Sequence, residues 1–247
     1  MSVQIRVLPL RGIPELDEGD DLASEILGAA ERAGGLEPGD VIVVAQKAVS
    51  KVEGRIVRLA DVEPSDRARE LAGDGDARRM EVILRETRRV VRARPPLVIS
   101  ETEHGFVCAS AGVDSSNAGR TETVVLLPRD PDASAARLRE AVRGATGAEV
   151  AVIVSDSFGR AWRQGTTDVA LGVAGLAPIL DLNGRRDSVG YELHATQIAV
   201  ADEIAGAAEL VMGKTDAVPA AIVRGVNASG DGSGAELLMP RERDLFR

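Results

Sequence analysis

The sequence predicts an α+β fold in one compact unit, and three observations carry that expectation. Short β-branched runs such as VIVVA and VAVIV are interspersed with alanine-rich segments of helical periodicity. No internal repeat is visible. No long linker divides the chain, and 247 residues suffice for one large domain or two small lobes sharing an interface. Apolar residues make up 44% of the chain but aromatics only 2%, so the core must come from Ala, Val, Leu and Ile, packed through close backbone approach.

In chain order, QIRVLPL (4–10) alternates as a strand does, and the turn-prone RGIPE follows it. DDLASEILGAAERAGG reads as a helix capped by Asp20 or Asp21, with Leu22, Ile26, Ala29 and Ala33 on one face and Gly34-Gly35 at its end. VIVVAQKAV (41–49) reads as a buried strand running into a basic segment. Residues 64–92 read as helical and surface-exposed, interrupted near Gly73 and Gly75. PPLVISE (95–101) and FVCASAGV (106–113) predict a hairpin around Glu103-His104-Gly105, and TETVVLLP (121–128) another strand. PDASAARLREAVRGATG opens with proline and ends in glycine, the signature of a helix, and VAVIVSD (150–156) returns as a strand. Over 196–212, Ile198, Ala201, Ile204, Ala205, Ala208 and Val211 form one helical stripe. AAIVRGV (220–226) is the last strand, and the glycine-rich SGDGSGAELL closes the fold.

With 39 acidic against 30 basic residues the net charge is −9, which argues against a nucleic-acid partner bound through phosphate neutralisation. The basic stretch RETRRVVRARP (85–95) reads as a solvated face. A single cysteine excludes an internal disulfide, and two histidines are too few for a Cys/His zinc site. Cys108, inside FVCASAGV, reads as a small buried hydrophobe. The N-terminus lacks a signal-peptide pattern, and no apolar run approaches the roughly 20 residues that span a bilayer. A soluble protein of the reducing cytoplasm, with no membrane partner, is the expectation.

Two loops carry acids directly after apolar strands. ASAGVDSSNAGR (109–120) gathers Asp114, Ser115, Ser116 and Asn117 between glycines, and IVSDSFGRAWRQGTTD (153–168) delivers Asp156 and Ser157. Carboxylate and hydroxyl oxygens suit magnesium or manganese, which take one or two protein carboxylates and fill the other positions with water and phosphate. The alternative for either loop is an Asx-turn or a helix cap. Arg160 and Arg163, three apart, are expected on one side of a helical turn with Trp162 pointing elsewhere. There they either grip an anionic substrate or pair with surface acids. Lys47 and Lys51 follow a strand and could reach a phosphate, although GxxxxGK[ST] is absent and an ordinary P-loop is excluded. GDGSG (230–234) reads as a turn, and His104 and His194 as turn or core residues.

GIPEL (12–16), VVAQKAVSKVEGR (43–55), AGVDSSNAG (111–119), VSDSFGRAWRQGTTDVALGVAGL (154–176) and ADEIAGAAELVMGK (201–214) together resemble the coenzyme F420-0:L-glutamate ligase family. The resemblance runs from about residue 3 to residue 246 and covers one ligase domain, without the nitroreductase-like domain that follows it in some actinobacterial relatives. It implies two intertwined α+β subdomains, a homodimer, and GTP-dependent attachment of L-glutamate to the carboxylate tail of coenzyme F420-0 through an acyl phosphate. Magnesium or manganese, two ions, with potassium assisting, is also implied. Carried over by motif, Asp114 and Asp156 would be metal ligands, with Ser157 beside them serving a second metal. Ile13, Pro14, Glu15, Leu16, Gln46, Lys51, Asn117 and the segment Met212-Gly213-Lys214 would contact the nucleotide. Lys51 would neutralise charge on the transferring group, and Arg160 and Arg163 would hold the coenzyme tail or the incoming glutamate. Other readings of the same loops are a metal-dependent small-molecule kinase and a non-catalytic nucleotide-binding module.

Overall fold

The structure is a computed structural model and describes residues 4–115, 122–227 and 229–246. The chain begins with β1 (Arg6–Pro9), passes through α1 (Leu22–Arg32) to β2 (Val41–Ala45) and turns at once into α2 (Gln46–Val52). A second lobe follows, comprising β3 (Ile56–Arg58), α3 (Asp66–Ala72), α4 (Ala77–Arg85), β4 (Thr87–Arg94), β5 (Leu97–Thr102), β6 (Val107–Ala109) and β7 (Thr123–Val125). The chain then returns through α5 (Pro131–Thr146) and the long hairpin of β8 (Ala151–Arg160) and β9 (Arg163–Ala174). It finishes with the small pair β10 (Leu180–Asp181) and β11 (Gln197–Ile198), then α6 (Val200–Met212) and β12 (Ala220–Arg224). The expected α+β class is therefore what is found, with the second lobe inserted into the first.

The first lobe is built on a five-stranded sheet in the order β1-β12-β2-β8-β9, in which β2 and β8 are parallel and every other pairing is antiparallel. Period-two alternation splits its strands between two cores. Ile42, Val44, Val152, Val154 and Ile222 pack with α1, α2 and α5 on one face. Val41, Val43, Ile153, Ala221 and Val223 pack with α6 on the other. The helix ends follow from local chemistry: Asp21 accepts the Ser24 amide at 3.1 Å, and Asp130 accepts that of Ala133 at 2.9 Å ahead of Pro131.

In the inserted lobe, β3 pairs with β7, so the strands that enter and leave it are tied together at its base. Its core is Leu59, Ala68, Met80, Ile83, Val98, Val113 and Val124. Phe106, Cys108, Leu127 and Leu171 bridge the lobes, and the burial expected of Cys108 is confirmed; withdrawal from water pushes its thiol up to about 12.

Four expectations need correction. The helix read over 196–212 starts at Val200, because Gln197–Ile198 pairs with β10 as a strand, so Ile198 is not on its stripe. The run 41–49 is strand only to Ala45; Ala45, Ala48, Val49 and Val52 fall at helical spacing, and Ser50 Oγ donates to Gln46 Oε1 one turn back at 2.9 Å. The helical reading of 64–92 fails beyond Arg85, because the β-branched TRRVVRAR stretch pairs with β5 as a strand. Arg160 and Arg163 share no helical turn. They face each other across a β-hairpin whose loop is Ala161-Trp162, with Trp162 at φ 56°.

With few aromatics, the packing of α5 on β9 is very close. A Cβ on Gly172 would lie 2.1 Å from the Pro131 carbonyl oxygen, and the Asp132 carboxylate accepts from the Val173 and Gly234 amides, each at 2.7 Å. Backbone met by backbone has no rotamer to yield. Gly172→Ala is expected to destabilise the protein by about 3 kcal/mol, read as a fall of roughly 6–12 °C in Tm by calorimetry; an unchanged Tm would show that α5 is free to move.

Candidate active site at the strand ends

Because β1, β2 and β8 run in one direction, their C-terminal ends share one edge of the sheet with the N-terminal end of β12. A cavity of about 260 Å³ follows that edge. Its wall is supplied in turn by Ile13 to Leu16 after β1, Ala217 to Pro219 before β12, Ala45 to Ala48 and Lys51 after β2, Ser155 to Ser157 on β8 and Asp168 on β9, with Glu209 and Met212 to Thr215 closing it from α6. Loops at the carboxyl ends of strands form this kind of crevice in open sheets.

The wall beside α2 mixes apolar and polar groups. Ile13 and Leu16 are buried in the core beneath α1, which leaves the intervening Pro14 and Glu15 exposed at the cavity. Glu15 pairs with Lys51, whose side chain α2 buries. Gln46 is also buried, and while its Oε1 is satisfied by Ser50, its Nε2 has no partner among the described residues. A buried amide without an acceptor costs free energy that a ligand oxygen would recover.

The end beside the β8–β9 hairpin is acidic. On the β8–β9 hairpin Ser157 sits opposite Asp168, and a register shift just before Ser155 brings a second hydroxyl to the same carboxylate. Ser155 Oγ donates to Asp168 Oδ2 at 2.9 Å and Ser157 Oγ to Oδ1 at 2.5 Å. Glu209 accepts the Asp168 amide at 2.9 Å, tying α6 to the hairpin. Lys214 Nζ donates to Ser157 Oγ at 2.5 Å, and Lys47 Nζ lies 2.6 Å from Asp114 Oδ2. Burial raises the Asp156 carboxyl to about 7, with Asp168 adding to the rise, against the opposing pull of the Ser157 amide, Lys47 and Lys214.

The cavity thus brings together Ile13, Pro14, Glu15, Leu16, Gln46, Lys51, Asp156, Ser157, Met212, Gly213 and Lys214. Asp114 is outside its wall but is joined to it through Lys47. Asn117 lies outside the described residues. Arg160 and Arg163 are exposed at the hairpin tip, away from the cavity wall. His104 Nε2 contacts the Pro128 and Arg129 carbonyls at 2.9 and 3.0 Å, and His194 stacks edge-on to Tyr191, so neither joins the cavity. The glycine-rich 230–234 stretch, expected as a turn, is an irregular loop packed against Leu171, Ala177 and Pro178, and Gly234 opens a short 3-10 helix. Asp168, Glu209 and Ser155 went unnoticed in the sequence. The missing signal was the alternating TTDVALGVA run, which identifies a strand paired to β8 and thereby places Asp168 beside Ser157.

An aspartate that ionises near 3.8 when unfolded and near 7 when folded holds its extra proton in the folded state between those values. Stability contributed by that proton is present at the acidic side of the window and is lost as pH rises to about 7. With divalent ions chelated, Asp156→Asn is therefore expected to gain stability relative to the parent as pH rises from 4 to 8, measured by urea unfolding at each pH. A pH-independent difference would contradict the burial of a charge at this position.

Residues 12–225 match the family model described as F420-0:Gamma-glutamyl ligase. The chain is 45% identical to the coenzyme F420:L-glutamate ligase of Methanothermobacter thermautotrophicus, over 98% of this chain and 99% of that one. It is 42% identical to the protein of the same name from Methanocaldococcus jannaschii, over 86% of each, and 40% identical to that of Archaeoglobus fulgidus, over 99% and 97%. A match of this extent, covering every strand that lines the cavity and the helix that closes it, places the chain in the F420-0:gamma-glutamyl ligase family.

Proposed function

We propose that the protein uses GTP to join the amino group of L-glutamate to the carboxylate tail of coenzyme F420-0, and then adds further glutamates through γ-linkages. The observation that carries this reading is the cavity itself, whose wall combines apolar side chains with lysines and the carboxylates of Asp156, Asp168 and Glu209. A nucleoside triphosphate presents the matching groups, a planar base and phosphates. Ile13, Leu16, Met212 and Val218 are apolar members of the wall available to the base, and Gln46 Nε2, which has no partner among the described residues, offers a donor to a ligand oxygen.

A free carboxylate has no good leaving group, which is why the reaction needs the nucleotide. A carboxylate oxygen of the tail attacks the γ-phosphorus and GDP departs, leaving an acyl phosphate. The glutamate nitrogen then attacks the acyl carbon, the C–N bond forms, phosphate leaves and the nitrogen loses a proton, which the carboxylates of the acidic end can accept. Lys47 and Lys51 offset charge on the phosphates as point charges. Lys51 is held for this by Glu15, and Lys47 by Asp114.

Magnesium or manganese fits the donors at the acidic end. Asp156 and Asp114 are hard oxygen donors, and among the described residues no three His, Cys, Asp or Glu side chains gather as a closed metal cage. That matches an ion held by one or two protein carboxylates, with water and phosphate oxygens completing its octahedron. Such an ion, when bound, supplies Lewis-acid stabilisation of charge on the transferring phosphoryl group. No potassium position is assigned to particular residues. Among the described residues no helix is long and apolar enough to cross a membrane. We read the protein as a cytoplasmic homodimer, a reading supported by the exposed Val189, Tyr191 and Leu210 side chains, and light scattering on the purified protein decides it.

Mass spectrometry of a reaction holding the protein, glutamate-free coenzyme, GTP, L-glutamate and manganese is expected to show stepwise glutamyl additions. Asp156→Ala should lower the rate by at least about 100-fold. A phosphorylated product that persists while glutamate goes unused would make the protein a kinase, and nucleotide binding without any product would make it a binding module.

A further inference from the structure

At the acidic end Ser157 stands at the centre of a small polar cluster. Its hydroxyl hydrogen goes to Asp168 Oδ1 at 2.5 Å, so the oxygen lone pairs face the cavity, and there they meet Lys214 Nζ at 2.5 Å. Glu209 Oε1 lies 3.5 Å from the same hydroxyl. The cluster is preformed, because Ser155 holds the other Asp168 oxygen and the Asp168 amide holds Glu209. A positive charge among a hydroxyl oxygen and two carboxylates is the arrangement a bound metal ion would otherwise satisfy.

The chain path delivers that charge to the same place each time. α6 ends at Met212, and Gly213 follows at φ 60° and ψ −179°, a conformation in which an added Cβ would lie 2.3 Å from Asp216 Oδ2. Glycine thus turns the backbone off the helix axis immediately before Lys214 and sends its side chain back over β8. Charge counting agrees. Asp114, Asp156, Asp168 and Glu209 face only Lys47 and Lys214, so carboxyl groups outnumber ammonium groups before any ligand arrives.

We propose that the Lys214 ammonium is a tethered cation at Ser157, and that the acidic end accordingly takes one divalent ion, at Asp114 and Asp156, where the family resemblance implies two. The inference rests on the metal reading given above. An ion entering beside Ser157 would have to displace an ammonium that is covalently attached and therefore present at high effective concentration. The residues around Ser157 do not fit a second metal while that lysine is in place.

The test counts ions directly and needs no turnover. Chelator-treated full-length protein is titrated with Mn²⁺ alone, and free Mn²⁺ is followed by its EPR signal. One ion per chain is expected for the parent and for Lys214→Arg, which keeps the charge. Two are expected for Lys214→Gln, which removes the charge and offers an amide oxygen. Two ions on the parent would overturn the proposal without recourse to any variant, as would a single ion on a folded Lys214→Gln protein. A parent that takes up no Mn²⁺ would overturn the metal reading as well, so the two failures are told apart.

Discussion

The register of the parallel pair β2–β8 is the constraint on which the cavity depends. Val41 is opposite Ala151 and Ala45 opposite Ser155, so β2 ends level with Ser155 and Gln46-Lys47 start α2 beside Asp156-Ser157, where β8 continues into its hairpin with β9. A slip of one residue would turn every side chain of a strand to the other face, sending Val43 toward α1 and Ile42 toward α6. The register is therefore held by both cores at once. The long hairpin transmits it onward: β9 is placed by β8, and Asp168 by β9. Glu209 and Asp202 then clamp α6 to this strand by accepting the amides of Asp168 and Ala170, each at 2.9 Å. Apolar packing sets the spacing of the layers, while carboxylates reading backbone amides set their alignment.

Much of this fold was legible because its signals are local. The cap at Asp21, the proline that opens α5, the glycines after α1 and the stripe on α6 from Ala201 onward are decided within a few residues of themselves. The failures came where the deciding partner was distant. The β4 stretch is charged enough to imitate a helix surface, and only its pairing with β5 makes it a strand. α2 hides in an apolar run that continues a strand without punctuation, since neither glycine nor proline separates Ala45 from Gln46. β9 begins with the polar RQGTTD because it projects beyond the core there, so its alternation is visible only in its second half.

The site divides in the same way. Asp156, Ser157, Lys51 and the GIPEL loop stand beside strands that the sequence shows plainly, whereas Asp168 and Glu209 act through pairings between distant segments. The arginines misled for an instructive reason. Spacing by three suggests a common helical face, but it equally suits two residues flanking a two-residue hairpin loop, and β-branching before the acid was the better guide. Trp162 at φ 56° is the residue that turns the chain there. Its ring meets that of Phe246 edge-on at 4.7 Å, and both stay largely exposed at the tip.

The electrostatics of the cavity follow from what it has to combine. In the proposed reaction carboxylates and phosphates would share the cavity and repel each other, and burial makes each such charge more expensive to keep. Lysines alone would solve the repulsion but would bind product phosphates as firmly as substrate. Interleaving the two lets the protein present a nearly balanced surface that a small change in cation content tips toward anions. Asp156 shows the balance directly: burial and Asp168 favour its neutral form, Lys47 and Lys214 its charged form, and the outcome falls near 7. On the proposed metal reading, a cation arriving there would draw this carboxyl toward its ionised form and so couple cation binding to acceptance of phosphate.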